Sequence, residues 1–348
     1  MRILVVRYRF IGDTVLTVPF LRNLRKYYPD AQIDMLVAPI SGELLENCPY
    51  IDNLIYFDTT RKHRYECGKD EKRSFWHYVK LLRKEKYDKT YVLKRSLSSA
   101  ALCAFAGIPK RVGFNTEGRG LLLTKRVPYK KSKHEVESFL DVLKADNIPV
   151  NDDHLELWLD EPDLANADAI LSKVPVGVTK KIIVHATSGN VKKQWKPEYF
   201  AKVIEKLSNE MNAQVFHLGA KSDKLVYENI RNMIDTPVNI EPINLCGELS
   251  ISQSAALISK MDLVFGNDSG TFHVAGALNV PTVVIYGPMD YKKWRVWNSN
   301  TKALSTKIDC YPCGLRVKCK NNYACLEQIT PNIAMQFIDE MLNSAKIC

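Results

Sequence analysis

Three short stretches of the sequence carry residue types suited to a negatively charged substrate. In the first, Arg9-Phe10-Ile11-Gly12-Asp13, a carboxylate follows a glycine directly after an apolar run over residues 2–8. Asp13 there can take a proton from a hydroxyl, or can cap a helix by accepting from first-turn N–H groups. In the second, His185-Ala186-Thr187-Ser188-Gly189 follows another apolar run and leads to Lys192, Lys193 and Trp195. Small hydroxylated residues and glycine let backbone approach a phosphate, and a nearby lysine can neutralise it. In the third, Gly266-Asn267-Asp268-Ser269-Gly270 joins apolar residues 263–265 to a helix-compatible segment that contains His273. A helix starting here presents the N–H groups of Ser269, Gly270 and Thr271 without intrahelical partners, and its dipole favours an anion. The structural alternatives are that Asp268 or Ser269 only caps the helix and that His273 is a packed core residue. As His273 lies one turn after Ser269, it can also face the same site.

Two such loops in one half of the chain fit a pyrophosphate, and with it a nucleoside-diphosphate ligand. Neither matches GxxxxGK[ST], and the first stretch lacks GxGxxG, so ATP hydrolysis and Rossmann-type hydride transfer both lose support. A bound diphosphate donor together with the carboxylate of Asp13 suggests group transfer to a hydroxyl. A positioned base of this kind contributes roughly 10² to 10⁴ in rate.

Cys310, Cys313, Cys319 and Cys325 form a further constellation, C-x2-C-x5-C-x5-C. Four thiolates so spaced can close a structural zinc or iron site; reduced thiols and disulfides are the alternatives.

The elements that must position these residues read as repeated strand and helix. Strands are expected over 2–8, 33–38, 54–57 and 90–93, with helices over 14–28, 42–48, 74–86, 98–106 and 135–147. Pro19 is expected to bend the helix in which it falls. Residues 60–73, with Arg61, Lys62, His63, Arg64, Lys69, Lys72 and Arg73, read as a charged loop. Residues 119–134 read as a basic, partly apolar loop in which Leu121, Leu122 and Leu123 alternate with Arg119, Lys125, Arg126, Lys130, Lys131 and Lys133. That mixture suits a membrane headgroup region or a phosphorylated glycolipid as well as a solvated surface. A connection is expected over 149–175, with a short strand at 155–159. The rhythm then restarts with strands over 182–185, 214–218, 244–246, 263–265 and 283–286. Helices are expected over 198–211, 223–234 and 250–261, the last opened by a capping box of Ser250 and Gln253. A final helix spans 331–344.

The chain has 348 residues, a formal net charge of +10, 46% hydrophobic and 25% charged residues. This length predicts two domains, since single cores seldom exceed roughly 250 to 300 residues. The composition is that of an ordinary soluble protein, and the positive balance calls for an acidic partner. No apolar run approaches the roughly 20 residues needed to cross a bilayer, and the start MRILVVRYRF reads as a strand rather than a signal peptide. A cytoplasmic location is expected. The predicted fold is α/β, with two Rossmann-like doubly wound domains facing each other across a cleft. They are placed at 1–160 and 176–328, with a helix over 329–346 packing back on the first.

Taken in order, Gly12-Asp13, then His185-Ala186-Thr187-Ser188 with Lys193 and Trp195, then Asn267-Asp268-Ser269-Gly270-Thr271-Phe272-His273 with Gly287-Pro288, resemble glycosyltransferase family 9 over nearly the whole chain. These are the ADP-heptose:lipopolysaccharide heptosyltransferases. The resemblance implies a GT-B fold and inverting transfer that requires no metal or other cofactor. It also implies that Asp13 is the general base for a sugar hydroxyl of a lipid A–core acceptor. Thr187, Ser188 and Lys193 would hold the donor phosphates, with Lys192 an alternative because Lys193 stands one residue further from His185 than in the family pattern. Asp268 would meet the heptose hydroxyls, Ser269, Gly270, Thr271 and His273 would line the sugar-diphosphate site, and Asp223 would lie near the nucleoside. Gly12, Arg61, Arg64, Arg119, Lys125, Arg126, Lys130 and Lys131 are the candidates for the acidic acceptor, at an anionic inner-membrane surface and with no nucleic acid involved. The alternatives are a transferase of another nucleotide sugar, a sugar-nucleotide epimerase or hydrolase, and an inactive binding protein of the same fold.

Overall fold

Apolar runs with no polar alternation suit strands covered on both faces, which is how parallel sheets are buried. The computed structural model describes residues 1–58 and 73–344, and in it these runs form two separate six-stranded parallel sheets. The chain divides into two compact units, Met1–Trp158 and Leu159–Cys348.

The first unit holds β1 (Arg2–Val6), β2 (Gln32–Val37), β3 (Asn53–Tyr56), β4 (Lys89–Val92), β5 (Lys110–Phe114) and β6 (Lys125–Val127). They lie in the order β3-β2-β1-β4-β5-β6, with Val6 opposite both Leu36 and Val92. Leu4, Val6, Leu36, Val92, Leu102 and Cys103 are fully or almost fully buried in its core. The strand order reverses between β1 and β4, and ligands of doubly wound sheets bind outside the carboxyl ends of strands at such a point. Asp13 follows β1 at that end.

The second unit holds β7 (Lys180–His185), β8 (Ala213–His217), β9 (Ile243–Asn244), β10 (Leu263–Asn267), β11 (Thr282–Ile285) and β12 (Thr301–Leu304). The order β9-β8-β7-β10-β11-β12 repeats that of the first sheet, with the reversal between β7 and β10. The second and third stretches, after His185 and Asn267, are therefore neighbours at one switch point. Their approach is close: a Cβ on Gly266 would lie 2.1 Å from the carbonyl oxygen of His185, and Gly266 itself has φ +144°. Only glycine fits there.

Several expectations change. The helix placed over 14–28 is two helices, Ile11–Val15 and Val18–Tyr27, with Pro19 in the first turn of the second, where its missing N–H costs nothing. The loop over 119–134 contains a 3₁₀ turn, Arg119–Leu122, and the short strand β6. The connection over 149–175 holds no strand but a helix, Glu161–Leu171. Its periodicity is weak because it buries only Ala167, yet its start is marked by Asp160, which accepts from the Asp163 N–H, and by Pro162. The capping box at Ser250 and Gln253 forms as read. The last helix, Pro331–Ser344, gives Ala334, Met335, Ile338, Met341 and Leu342 to the core of the second unit. No described helix is long and apolar enough to cross a membrane.

Candidate functional site

Asp13 does not cap its helix. Phe10 holds the cap position of Ile11–Val15, and Asp13 lies in the first turn, where a negative charge suits the dipole. Its Oδ2 lies 2.5 Å from Nη2 of Arg7, a buried residue whose guanidinium also sits 5.5 Å from the ring of Phe139. Arg7 thus fixes the direction of the carboxylate. Lys94, just past β4, is pushed down to about 8 by burial first and by Arg7, Arg9 and Arg95 next, with Asp13 opposing the shift. Its ammonium lies 6.0 Å from the Tyr8 ring and 5.8 Å from the Phe10 ring. A carboxylate among several cations at the sheet's switch point can accept a hydroxyl proton and can attract an anionic substrate.

Of the other residues expected to meet an acceptor, Gly12 is buried beside Asp13 in the same short helix. Arg119 is buried, with its guanidinium donating to the Lys94 carbonyl and to Thr116 Oγ1, and burial lowers its pKa. It is a structural residue of the unit. Lys125 pairs with Asp146 at 3.5 Å. Arg126, Lys130 and Lys131 are exposed. Arg61 and Arg64 lie outside the described residues.

In the second unit the predicted donor residues converge. Lys193 Nζ lies 2.5 Å from Asp268 Oδ2, joining the loop after β7 to the turn after β10. Ser188 Oγ donates to the Asp268 carbonyl at 3.3 Å, and Thr187 Oγ1 donates to Asp223 Oδ2 at 3.3 Å. Asp223, almost wholly buried, also accepts from the Ala220 N–H at 3.0 Å. Helix Gly270–Ala277 starts at Ser269, whose buried hydroxyl has no hydrogen-bond partner among the described residues. The first-turn N–H groups of Gly270 and Thr271 point with it, and His273 is buried one turn further on. An acceptor-rich anion placed here would meet a hydroxyl, helix N–H groups and a lysine. Lys192 is elsewhere, on the rim of a small pocket lined by the four C-terminal cysteines.

Residues quoted in these motifs without an assigned role, and His217 outside them, hold the loops. Asn267 accepts from the Trp195 N–H at 2.9 Å and donates to the Ala186 carbonyl at 2.6 Å, tying the two loops side by side. The ring of His185 contacts the Leu218 carbonyl and that of His217 the Val184 carbonyl, each through Nδ1 at 3.1 Å, so β7 and β8 brace one another reciprocally. His217 stacks on Tyr227 at 4.1 Å, and burial pushes it down to about 4. A polar residue closing an apolar run was the available signal for His185 and His217, and a cation within one was the signal for Arg7.

Cys310, Cys313, Cys319 and Cys325 are free thiols around one pocket. Among the described residues no group of three or more His, Cys, Asp or Glu side chains could hold a metal ion, so the expected zinc or iron site is not supported. Burial first, and then the neighbouring cysteines, push the Cys325 thiol up to about 11.

Residues 75–324 match the family model for glycosyltransferase family 9 (heptosyltransferase). The chain is 30% identical over 296 residues to lipopolysaccharide heptosyltransferase 2 of Escherichia coli, covering 83% of each protein. Among solved structures, a glycosyl transferase family 9 protein from Veillonella parvula superposes with a TM-score of 0.82 at 22% identity, covering 99% of this chain and 97% of that one. The ADP-heptose LPS heptosyltransferase II of E. coli superposes with a TM-score of 0.78 at 23% identity, covering 99% and 100%.

Proposed function

The chain belongs to glycosyltransferase family 9 and has the GT-B fold, and from that premise we propose that it transfers a heptose from ADP-heptose to a lipopolysaccharide inner-core acceptor. Asp13 is the general base. The acceptor hydroxyl gives its proton to the Asp13 carboxylate as its oxygen bonds to the anomeric carbon of the donor. The bond from that carbon to the diphosphate oxygen breaks, its electron pair leaves with ADP, and the configuration inverts.

In the second unit Lys193, with the Thr187 and Ser188 loop, takes the diphosphate, and Asp268 turns toward the sugar hydroxyls. Ser269, Gly270, Thr271 and His273 line the sugar-diphosphate site, and Asp223 stands behind Thr187 near the nucleoside. Charge developing on the leaving diphosphate is met by Lys193 and by the helix N–H groups, so the reading calls for no cofactor. Arg126, Lys130 and Lys131 are acceptor contacts from the first unit. The reaction takes place at the anionic cytoplasmic face of the inner membrane, where a lipid A–core glycolipid would be met.

The observation that carries the reading is the start of helix Gly270–Ala277, where the Lys193–Asp268 pair stands beside a buried Ser269 hydroxyl that lacks a partner. The name of the E. coli structural relative supplies the donor. Replacing Asp13 with Asn is expected to lower transfer by at least about 10² while calorimetric binding of ADP stays as in the wild type. Near-normal turnover in that variant would remove Asp13 from the chemistry, and lost ADP binding would show that the substitution had damaged the fold.

A further inference from the structure

The first unit carries an exposed apolar ridge that its own core does not explain. On helix Phe75–Lys84, Phe75 packs against the core while Trp76 beside it is 59% exposed. Trp76 leans on Phe105 of the next helix, Leu97–Phe105, with ring centroids 5.4 Å apart, and Phe105 is itself 48% exposed. Arg83 locks the two helices together by donating to the Phe105 carbonyl at 2.5 Å. Leu97, two turns before Phe105 on the same face, is 52% exposed. The 3₁₀ turn Arg119–Leu122 packs on that helix, and there Leu122 turns toward the core while Leu121 is 85% exposed. Scattered exposed apolar residues need no explanation, but aromatic and leucine side chains gathered on adjoining elements do.

The charges around the ridge indicate what covers it. Lys80 and Lys84 follow Trp76 on the same side of its helix, one and two turns on. The one acid of that segment, Glu85, is taken by Arg2 at 2.5 Å. From Lys89 to His134, a span that includes helix Leu97–Phe105 and the Leu121 turn, Glu117 is the sole acid, against Lys110, Arg111, Arg126, Lys130 and Lys131 among others. Aromatic rings between flexible cations form the pattern that seats at a bilayer interface: rings enter the headgroup layer, and long basic side chains reach anionic headgroups.

We infer that Trp76, Phe105, Leu97 and Leu121, with Lys80 and Lys84 at their flank, form the face by which this protein docks on an anionic lipid surface. The inference deepens the proposed reading, on which it rests for the reason that a lipid-borne acceptor would have to be reached. Its test needs no turnover, so the two can fail separately.

The test is co-sedimentation of the full chain with vesicles of phosphatidylglycerol and phosphatidylethanolamine, and with vesicles of phosphatidylcholine alone. Binding is expected on the anionic vesicles, weakening as salt is raised. Lys80→Ala with Lys84→Ala should weaken it about 25-fold, taking roughly fivefold per cation near the surface. Trp76→Ser with Phe105→Ser should weaken it by about tenfold or more. Both pairs should keep wild-type ADP affinity in calorimetry, which checks the fold, and Asp13→Asn should bind vesicles normally. Equal binding to neutral vesicles, no binding to either kind, or vesicle binding unchanged in the aromatic variant would each overturn the inference. So would a wild-type dimer in light scattering that the aromatic variant dissolves, since the ridge would then belong to a second copy of the chain.

Discussion

Lys193 has three N–H donors, and Asp268 takes one of them at 2.5 Å. In the proposed site the remaining donors meet phosphate oxygens, and the pair sets the position of both partners before a donor arrives. Replacing Lys193 with Ala is expected to weaken ADP binding about 10- to 100-fold in calorimetry, the range for a lost charge-assisted hydrogen bond or two. Lys192→Ala should leave it nearly unchanged, and the reverse ranking would move the phosphate role to Lys192. Residue types next to apolar runs made Asp13, Thr187, Ser188, Lys193 and Asp268 the candidates, because strand ends are where such folds put their ligands. They did not distinguish cations that reach solvent from cations that do not. Arg119 belongs to a basic tract by sequence and to the interior by structure, while Arg7, inside an apolar run, is the residue that holds Asp13. Burial depends on partners far along the chain, which local composition does not contain.

Strands β7 and β8 owe their alignment at the site partly to His185, which reaches the Leu218 carbonyl just past β8, and to His217, which reaches the Val184 carbonyl in β7. His217 ordinarily titrates near 6.5, and in the folded protein burial holds it near 4. Between these values the unfolded chain binds a proton that the folded one does not. Stability is therefore lost as pH falls from about 6.5 through 4, by on the order of 3 kcal/mol from this residue. Urea midpoints at pH 7 and pH 5 should fall more for the wild type than for His217→Gln, whose loss of the Val184 contact is already present at pH 7. Equal falls would assign the acid sensitivity to other groups. Elements with long apolar runs or marked starts were legible, among them β10 and the Ser250 capping box. Those missed are short or polar: β5 opens on Lys110 and Arg111, β6 has three residues, β12 lies at a sheet edge, and helix Glu161–Leu171 buries one side chain. Their positions come from pairing and packing rather than from their own pattern.

Chain length and the restart of the strand rhythm are the sequence features behind the expectation of two domains; the structure has two compact units, Met1–Trp158 and Leu159–Cys348. An amphipathic segment such as the last helix records that one face is buried but not against what. Because Pro331–Ser344 completes the second core, a chain beginning at Leu159 is expected to fold and to bind ADP with an affinity close to that of the whole protein. Calorimetry and circular dichroism would check this, and an unfolded or ADP-blind fragment would show that the second unit depends on the first. The same helix has a genetic meaning. A nonsense codon after Thr330 would remove that helix, which lies far in sequence from Asp13, Lys193 and Asp268. It would nevertheless open the core of the second unit, so such an allele should score as a null.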